Sequence, residues 1–280
     1  MIAIPAIRPL RAADIRTLAG VLARAYAAPQ NFELRLHSYL DMNAVATFVA
    51  ELGGAPVGMV VGNDYGPTAY VSQMAVDPPL QRRGIATALM AGLLAWADGR
   101  GFDAVELDAT AAGAPLYARN GFAACGETVV YHSVWHAGRA PGARPATAGD
   151  RERLYAVDRN AFGADRIAVL RLLVDAAHNA VVVVGPPGQV VGYAIAQADA
   201  DVLGPVVAPD AAAAGALIDA ARAHLPALHR AMLPSANAAA QAIFTARGYH
   251  AVRSTTHMIR GVCPPARRER LFARINLGQG

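Results

Sequence analysis

Two groups of residues in this chain have the types and spacing for transfer chemistry. The first is Gln81-Arg82-Arg83-Gly84-Ile85-Ala86, a basic loop with one glycine, followed from Thr87 by small and apolar residues that predict a helix to about Gly99. A helix starting there leaves its first backbone N–H groups without internal partners, and they converge on an anion beyond the first turn. Gly84 lets the main chain approach a phosphate, Ala86 keeps the next approach uncrowded, and Arg82 and Arg83 add charge that matches phosphate oxygens. The second group is Val105-Glu106-Leu107-Asp108, where strand alternation puts both carboxylates on one face, opposite two apolar residues.

These groups need a scaffold, and the pattern around them supplies one. Strands are expected at residues 4–9, Val45–Leu52, Pro56–Asn63, Ala69–Val76 and Ala104–Asp108. Breaks fall at Gly53-Gly54 and Tyr65-Gly66-Pro67. Helices are expected from Asp14 to about Tyr26, from Leu34 to Met42 and from Gly113 to Asn120. The strand, helix, strand passage through Gly84 implies locally parallel pairing. The stretches Phe122–Ala124 and Val129–His136 then finish the unit.

The six-residue loop resembles the Q/R-x-x-G-x-G/A signature of the GCN5-related N-acetyltransferase (GNAT) superfamily. Its context is similar too, since Val76-Asp77-Pro78 precedes it and Leu116-Tyr117-Ala118-Arg119-Asn120-Gly121-Phe122 resembles the family's second block. The resemblance implies acetyl-coenzyme A as co-substrate. Its pyrophosphate would lie on Gln81, Arg82, Arg83, Gly84, Ile85, Ala86 and Thr87, and its pantetheine arm in a splay beside the backbone of Met74, Ala75 and Val76. Tyr117 is implied as the general acid that protonates the leaving thiolate. Thr110 stands where many relatives carry Asn, so it either orders cofactor or water or caps the following helix. Acetyl transfer also needs a neutral amine and donors for the carbonyl oxygen. Relatives with a Glu base on the fourth strand have no counterpart in Tyr70-Val71-Ser72-Gln73. Asp108 is therefore the first candidate base, acting through water, with His37 and His132 behind it.

The second half reads as another copy. Asp14 and Tyr26 fall on Asp150 and Phe162, Val57-Gly58 on Val191-Gly192, and Val76, Pro78 and Gly84 on Val207, Pro209 and Gly215. Thr110, Tyr117, Gly121 and Phe122 fall on Asn237, Phe244, Gly248 and Tyr249. In this alignment Ala212, Ala214 and Leu217 replace Gln81, Arg83 and Ala86, and Phe244 cannot donate a proton. Only the first copy is then expected to react, with the retained Gly215 kept for its turn.

The expected fold class is α/β (α+β): two tandem GNAT-like domains, each a mixed, mostly antiparallel twisted sheet with a splay and flanking helices. The expected boundaries are an acetyltransferase domain over 1–137, a Gly/Pro-rich linker over 138–146, a degenerate domain over 147–261 and an Arg-rich solvated tail over 262–280. At 280 residues two domains are the natural division. All 25 basic residues are Arg, which with the abundant Ala indicates a GC-rich, bacterial genome. A net charge of +4 suits an anionic cofactor without implying nucleic acid. The two cysteines lack metal-ligand or disulfide spacing, and neither a signal peptide nor a membrane span is apparent, so a cytoplasmic protein without metal is expected. The acceptor is expected to be a small-molecule amine, less readily a peptide or protein. The chain is expected to be a monomeric pseudo-dimer or a homodimer. The competing reading is an acyl-coenzyme A sensor with little turnover.

Overall fold

The computed structural model describes residues 5–27, 32–133, 142–187, 189–225 and 229–280, and in these the valine-rich runs are strands and the alanine- and leucine-rich runs helices. The first half runs β1 (Ala6–Pro9), α1 (Ile15–Tyr26), α2 (Phe32–Asp41), β2 (Val45–Leu52), β3 (Ala55–Asp64), β4 (Thr68–Val76), α3 (Ile85–Arg100), β5 (Ala104–Ala109), α4 (Ala114–Arg119) and β6 (Ala123–Ser133). The second repeats this as β7 (Arg144–Pro145), α5 (Arg151–Phe162), α6 (Ile167–Asp175), β8 (Ala180–Val184), β9 (Gly192–Gln197), β10 (Val202–Val207), α7 (Ala211–His224), β11 (Arg230–Pro234), α8 (Ala238–Thr245), β12 (Tyr249–Gly261) and β13 (Leu271–Ala273).

The repeat extends to single atoms. Arg8 donates from Nη1 and Nη2 to the two carboxylate oxygens of Asp14 at 2.7 and 2.8 Å, and Arg144 does the same to Asp150 at 2.7 and 2.8 Å. Each carboxylate also accepts a backbone N–H three residues earlier, from Arg11 and from Thr147. The pair fixes the first helix of each half to its first strand, as charge-assisted, two-pronged bonds do.

The described strands form one sheet in the order β1-β2-β3-β4-β5-β12-β6-β11-β10-β9-β8-β7. The halves have exchanged their last long strands. β12, from the end of the second half, pairs with β5 from Thr256↔Ala109 to Gly261↔Ala104, while β6 pairs with β11 from Arg230↔His132 to Pro234↔Thr128. The two exchanged strands also pair with each other. The expectation of two short strands closing the first unit on itself is thereby corrected. Ala123–Ser133 is one strand, and both its neighbours come from the second half. Residues 134–141, which contain the expected boundary at 137 and the first residues of the 138–146 linker, lie outside the described residues. Arg144–Pro145, at the far end of that stretch, already pairs with β8.

Each half sandwiches its part of the sheet between helices. Leu18, Leu22 and Leu36 of α1 and α2 pack on Val49, Met59 and Val61, while Leu89, Met90 and Leu93 of α3 pack on the opposite face with Val60, Val71 and Val105. Burial of each such side chain contributes about 1.5–3 kcal/mol. Equivalent layers lie around α7 and around α5 with α6.

The segment 262–280 departs from the expected solvated tail. Leu271, Phe272, Ala273 and Ile275 are buried, and β13 pairs antiparallel with β10 while Arg274 N–H donates to Met232 O on β11 at 2.8 Å. β13 therefore lies between β10 and β11. One of its arginines is matched from far along the chain: Arg268 holds the buried carboxylate of Glu106 at 2.8 and 2.9 Å. The composition of the tail reads as solvated because that matching carboxylate lies far away in sequence.

Candidate active site

Two neighbouring strands part in the first half. β4 and β5 run parallel and pair from Thr68↔Ala104 to Tyr70↔Glu106, then diverge although both continue. The β3–β4 register shifts between Val61 and Gly62, leaving Ser72 as an extra residue, and such a bulge turns the strand away from its neighbour. Asp77 N–H donates to Val57 O on β3, so by strand alternation Ala75 faces β3 as well, while Met74 and Val76 face the gap. Side-chain partners bear this out. Tyr26 Oη accepts the Met74 N–H at 3.3 Å and donates to Met74 O at 3.2 Å, and Gln81 Nε2 donates to Val76 O at 3.1 Å.

The gap opens into a cavity of about 610 Å³. At one end is the N-terminus of α3. Gly84 precedes the helix with φ +82°, and no side chain caps it; the first α-helical bond at this end is Ala88 N–H to Gly84 O. The N–H groups of the residues between them are the unpartnered ones of a helix start. A Cβ placed on Gly84 meets nothing within 4 Å, so the space in front of this turn is open. Arg82, Ala86 and Thr87 line it, joined by Arg119 from α4. At the other end stands Tyr117, 8% exposed, where burial pushes its hydroxyl pKa up to about 12, so it keeps its proton at neutral pH. Thr110 lines the cavity, and its Oγ1 also accepts the Gly113 N–H at 3.2 Å in the turn that leads into α4.

The structure thus brings together Met74, Val76, Gln81, Arg82, Gly84, Ile85, Ala86, Thr87, Thr110 and Tyr117 around one cavity. Three expected residues stand apart. Ala75 turns its side chain into the α1–α2 core, and Arg83 points to Pro79 O at 3.4 Å outside the cavity lining. Asp108 is the third. Its side chain is fully buried; it accepts from Tyr70 Oη at 2.6 Å and Thr128 Oγ1 at 2.7 Å, and His257 Nδ1 lies 3.4 Å away. Burial raises its pKa, but nearby Arg274, His257 and Tyr70 outweigh this and hold it below the usual carboxylate value. Its oxygens are engaged, and Asp108 is not among the residues that line the cavity. His37 and His132 line neither this cavity nor the larger one described below. Tyr26 joins the cavity lining as well, and its only signal in the sequence is its place at the end of α1.

At the corresponding place the second half differs in another way from the one read in the sequence. Eight residues separate β4 from α3, but only three separate β10 from α7, so the loop itself is missing. The residue before α7 is Asp210, whose carboxylate accepts Ala213 N–H at 2.8 Å and fills the helix start from within the chain. Gly215 lies inside α7 and not in a turn; a Cβ there would sit 2.7 Å from Arg247 Nη2, which is bound to Asp219. The gap between β10 and β11 is filled by β13. Asn237, at the position of Thr110, donates to Glu269 O and Leu271 O and fixes that strand.

Comparison with known proteins agrees with this geometry. A profile of the acetyltransferase (GNAT) family matches residues 15–122, and one of an acetyltransferase (GNAT) domain matches residues 154–273. An uncharacterized N-acetyltransferase of Bacillus subtilis, YitH, is 27% identical over 192 residues, covering 66% of this chain and 67% of that protein. Among solved structures, a presumed acetyltransferase of Pyrococcus horikoshii superposes with a TM-score of 0.88 at 23% identity, over 99% of this chain and 96% of that one. A tandem GNAT protein from the clavulanic acid biosynthesis pathway gives 0.62 at 17% identity, over 91% and 98%. The two profile matches together span well over half of the sequence, one on each half, and the chain belongs to the GNAT acetyltransferase family as a tandem, two-domain member.

Proposed function

We propose that the first half transfers an acetyl group from acetyl-coenzyme A to the primary amine of a small molecule. The observation that carries this reading is the single cavity that joins an open helix start at Gly84, the parted edge of β4 and the protonated Tyr117. A pyrophosphate fits the helix start, where backbone N–H groups and Arg82 provide positive charge. An extended pantetheine arm fits the parted edge, where Met74 and Val76 face the gap and Met74 offers a C=O. Tyr26 holds that C=O in its place when no arm is bound.

In the reaction the neutral amine nitrogen attacks the thioester carbonyl carbon, forming a C–N bond while the oxygen gains charge. The Met74 N–H is the donor positioned on the strand edge for that oxygen. Collapse breaks the C–S bond, and the departing sulfur takes the Tyr117 hydroxyl proton. The proton released by the nitrogen passes to water, and Tyr117 is reprotonated from solvent. Among the described residues no carboxylate lines the first cavity, so the amine loses its first proton to solvent before it attacks.

That missing carboxylate is also what favours a second reading, in which the protein binds an acyl-coenzyme A without turnover. Incubation with acetyl-coenzyme A and pooled small amines, followed by measurement of free thiol, separates the two. Amine-dependent thiol release supports transfer. Tight binding with no release above the hydrolysis background would leave only the sensor.

A further inference from the structure

A second, larger cavity of about 720 Å³ adjoins the first. Tyr26 lines both, and the consecutive β4 residues Gln73 and Met74 line one each. Its walls come from both halves: Phe32, Arg35 and Tyr39 on one side, Val202, Arg230 and Arg253 on the other.

The charge of this cavity is uneven. Three guanidiniums line it against one carboxylate, Asp199, which is already bound to His178 at 2.9 Å. Arg230 is partly satisfied by Ala200 O and by Asp201 at 3.7 Å. Among the described residues, the exposed side chains of Arg35 and Arg253 make neither a hydrogen bond nor an ion pair. A second observation marks the other end. Gln73, only 7% exposed, lines the cavity beside Met74, and its Oε1 is buried without a hydrogen-bond donor. A buried acceptor left unbonded costs stability, so a ligand N–H there would be favoured.

We propose that the acceptor is a small amine that also carries an anionic oxygen group. Its amino end lies at Gln73 beside the thioester, and its anionic end is held by Arg253 and Arg230 of the second half with Arg35 of α2. The planar guanidinium fork suits carboxylate and phosphate alike. The second half, whose α7 start is filled by Asp210 from within the chain, would then select the acceptor for the first. This inference rests on the transfer reading above and uses the same bond changes.

The test compares matched amines with the full chain at saturating acetyl-coenzyme A: amino acids against their carboxamides, and phosphoethanolamine against ethanolamine. Thiol release should favour the anionic member of at least one series by about tenfold or more in kcat/KM, through KM, as charge-assisted bonds would give. The favoured series identifies carboxylate or phosphate. Arg253→Ala should erase the preference without changing the KM for acetyl-coenzyme A, and Arg253→Lys should restore part of it. Equal turnover within both series, or a preference that survives both Arg253→Ala and Arg35→Ala, would overturn the inference and leave the transfer reading standing. Absence of turnover with every amine would overturn the transfer reading, and this one with it.

Discussion

His257, on the last long strand of the second half, places its Nε2 3.1 Å from Glu106 Oε2 on β5 of the first half. Both side chains are buried, and Arg268 closes the group on the other side of Glu106. The exchange of β12 into the first half is thus registered by charge as well as by backbone pairing. A single buried polar cluster shared between exchanged strands specifies which strand inserts and in what register, because any slip leaves the carboxylates unpaired.

The first prediction concerns this cluster. Burial works against the charged imidazole, but the carboxylates of Asp108 and Glu106, with Cys125, raise the His257 pKa to about 10. A raised folded-state pKa stabilises fully below the unfolded value of 6.5, and that stability is lost as pH rises toward about 10. Glu106 and Asp108 are shifted downward, so their contribution is present above their unfolded values of 4.5 and 3.8 and is lost in acid. Chemical denaturation should therefore show greatest stability between about pH 5 and 6.5, with a decline from pH 6.5 to 10. His257→Ala should cost about 3–5 kcal/mol at pH 6, since it leaves buried carboxylates short of a partner. A wild-type profile that is flat from pH 6.5 to 10 would show that the imidazole is not charged.

A second prediction follows from the strand exchange. Residues 1–146 alone would leave facing edges of β5 and β6 without β12 between them, so this fragment should aggregate on size-exclusion chromatography. Cleavage within 134–141, by contrast, should leave both halves eluting together. A soluble, active fragment 1–146 would mean that the first half can close its own sheet.

Tyr117→Phe gives the third. If the hydroxyl supplies the thiolate's proton, kcat should fall about a hundredfold while acetyl-coenzyme A affinity stays nearly constant. The ring packs on Phe122 at a centroid distance of 6.0 Å, a contact that Phe preserves. An unchanged turnover number would remove Tyr117 from the chemistry.

What could be read in the sequence was whatever is local. The loop at Gly84, the helix that follows and the Asp14/Asp150 repeat each depend on residues a few positions apart, and each appears in the structure. What could not be read depends on distant partners. Alternation correctly put Glu106 and Asp108 on one face, but the groups covering that face are Tyr70, Thr128, His257 and Arg268, two of them from the other half. The glycine and polar residues of Cys125-Gly126-Glu127-Thr128 made one strand look like two, where the structure carries the strand through with a register shift beside His257. Gly215 aligned with Gly84 by sequence because the missing loop residues could not be located without the helix starts.

The most direct test of the account is a calorimetric titration of the whole chain with acetyl-coenzyme A. One equivalent should bind per chain, since only the first half keeps the loop and its open helix start, and Gly84→Asp should abolish it by placing a carboxylate in the phosphate's space. Two equivalents per chain, or one that survives Gly84→Asp unchanged, would contradict the assignment of the site.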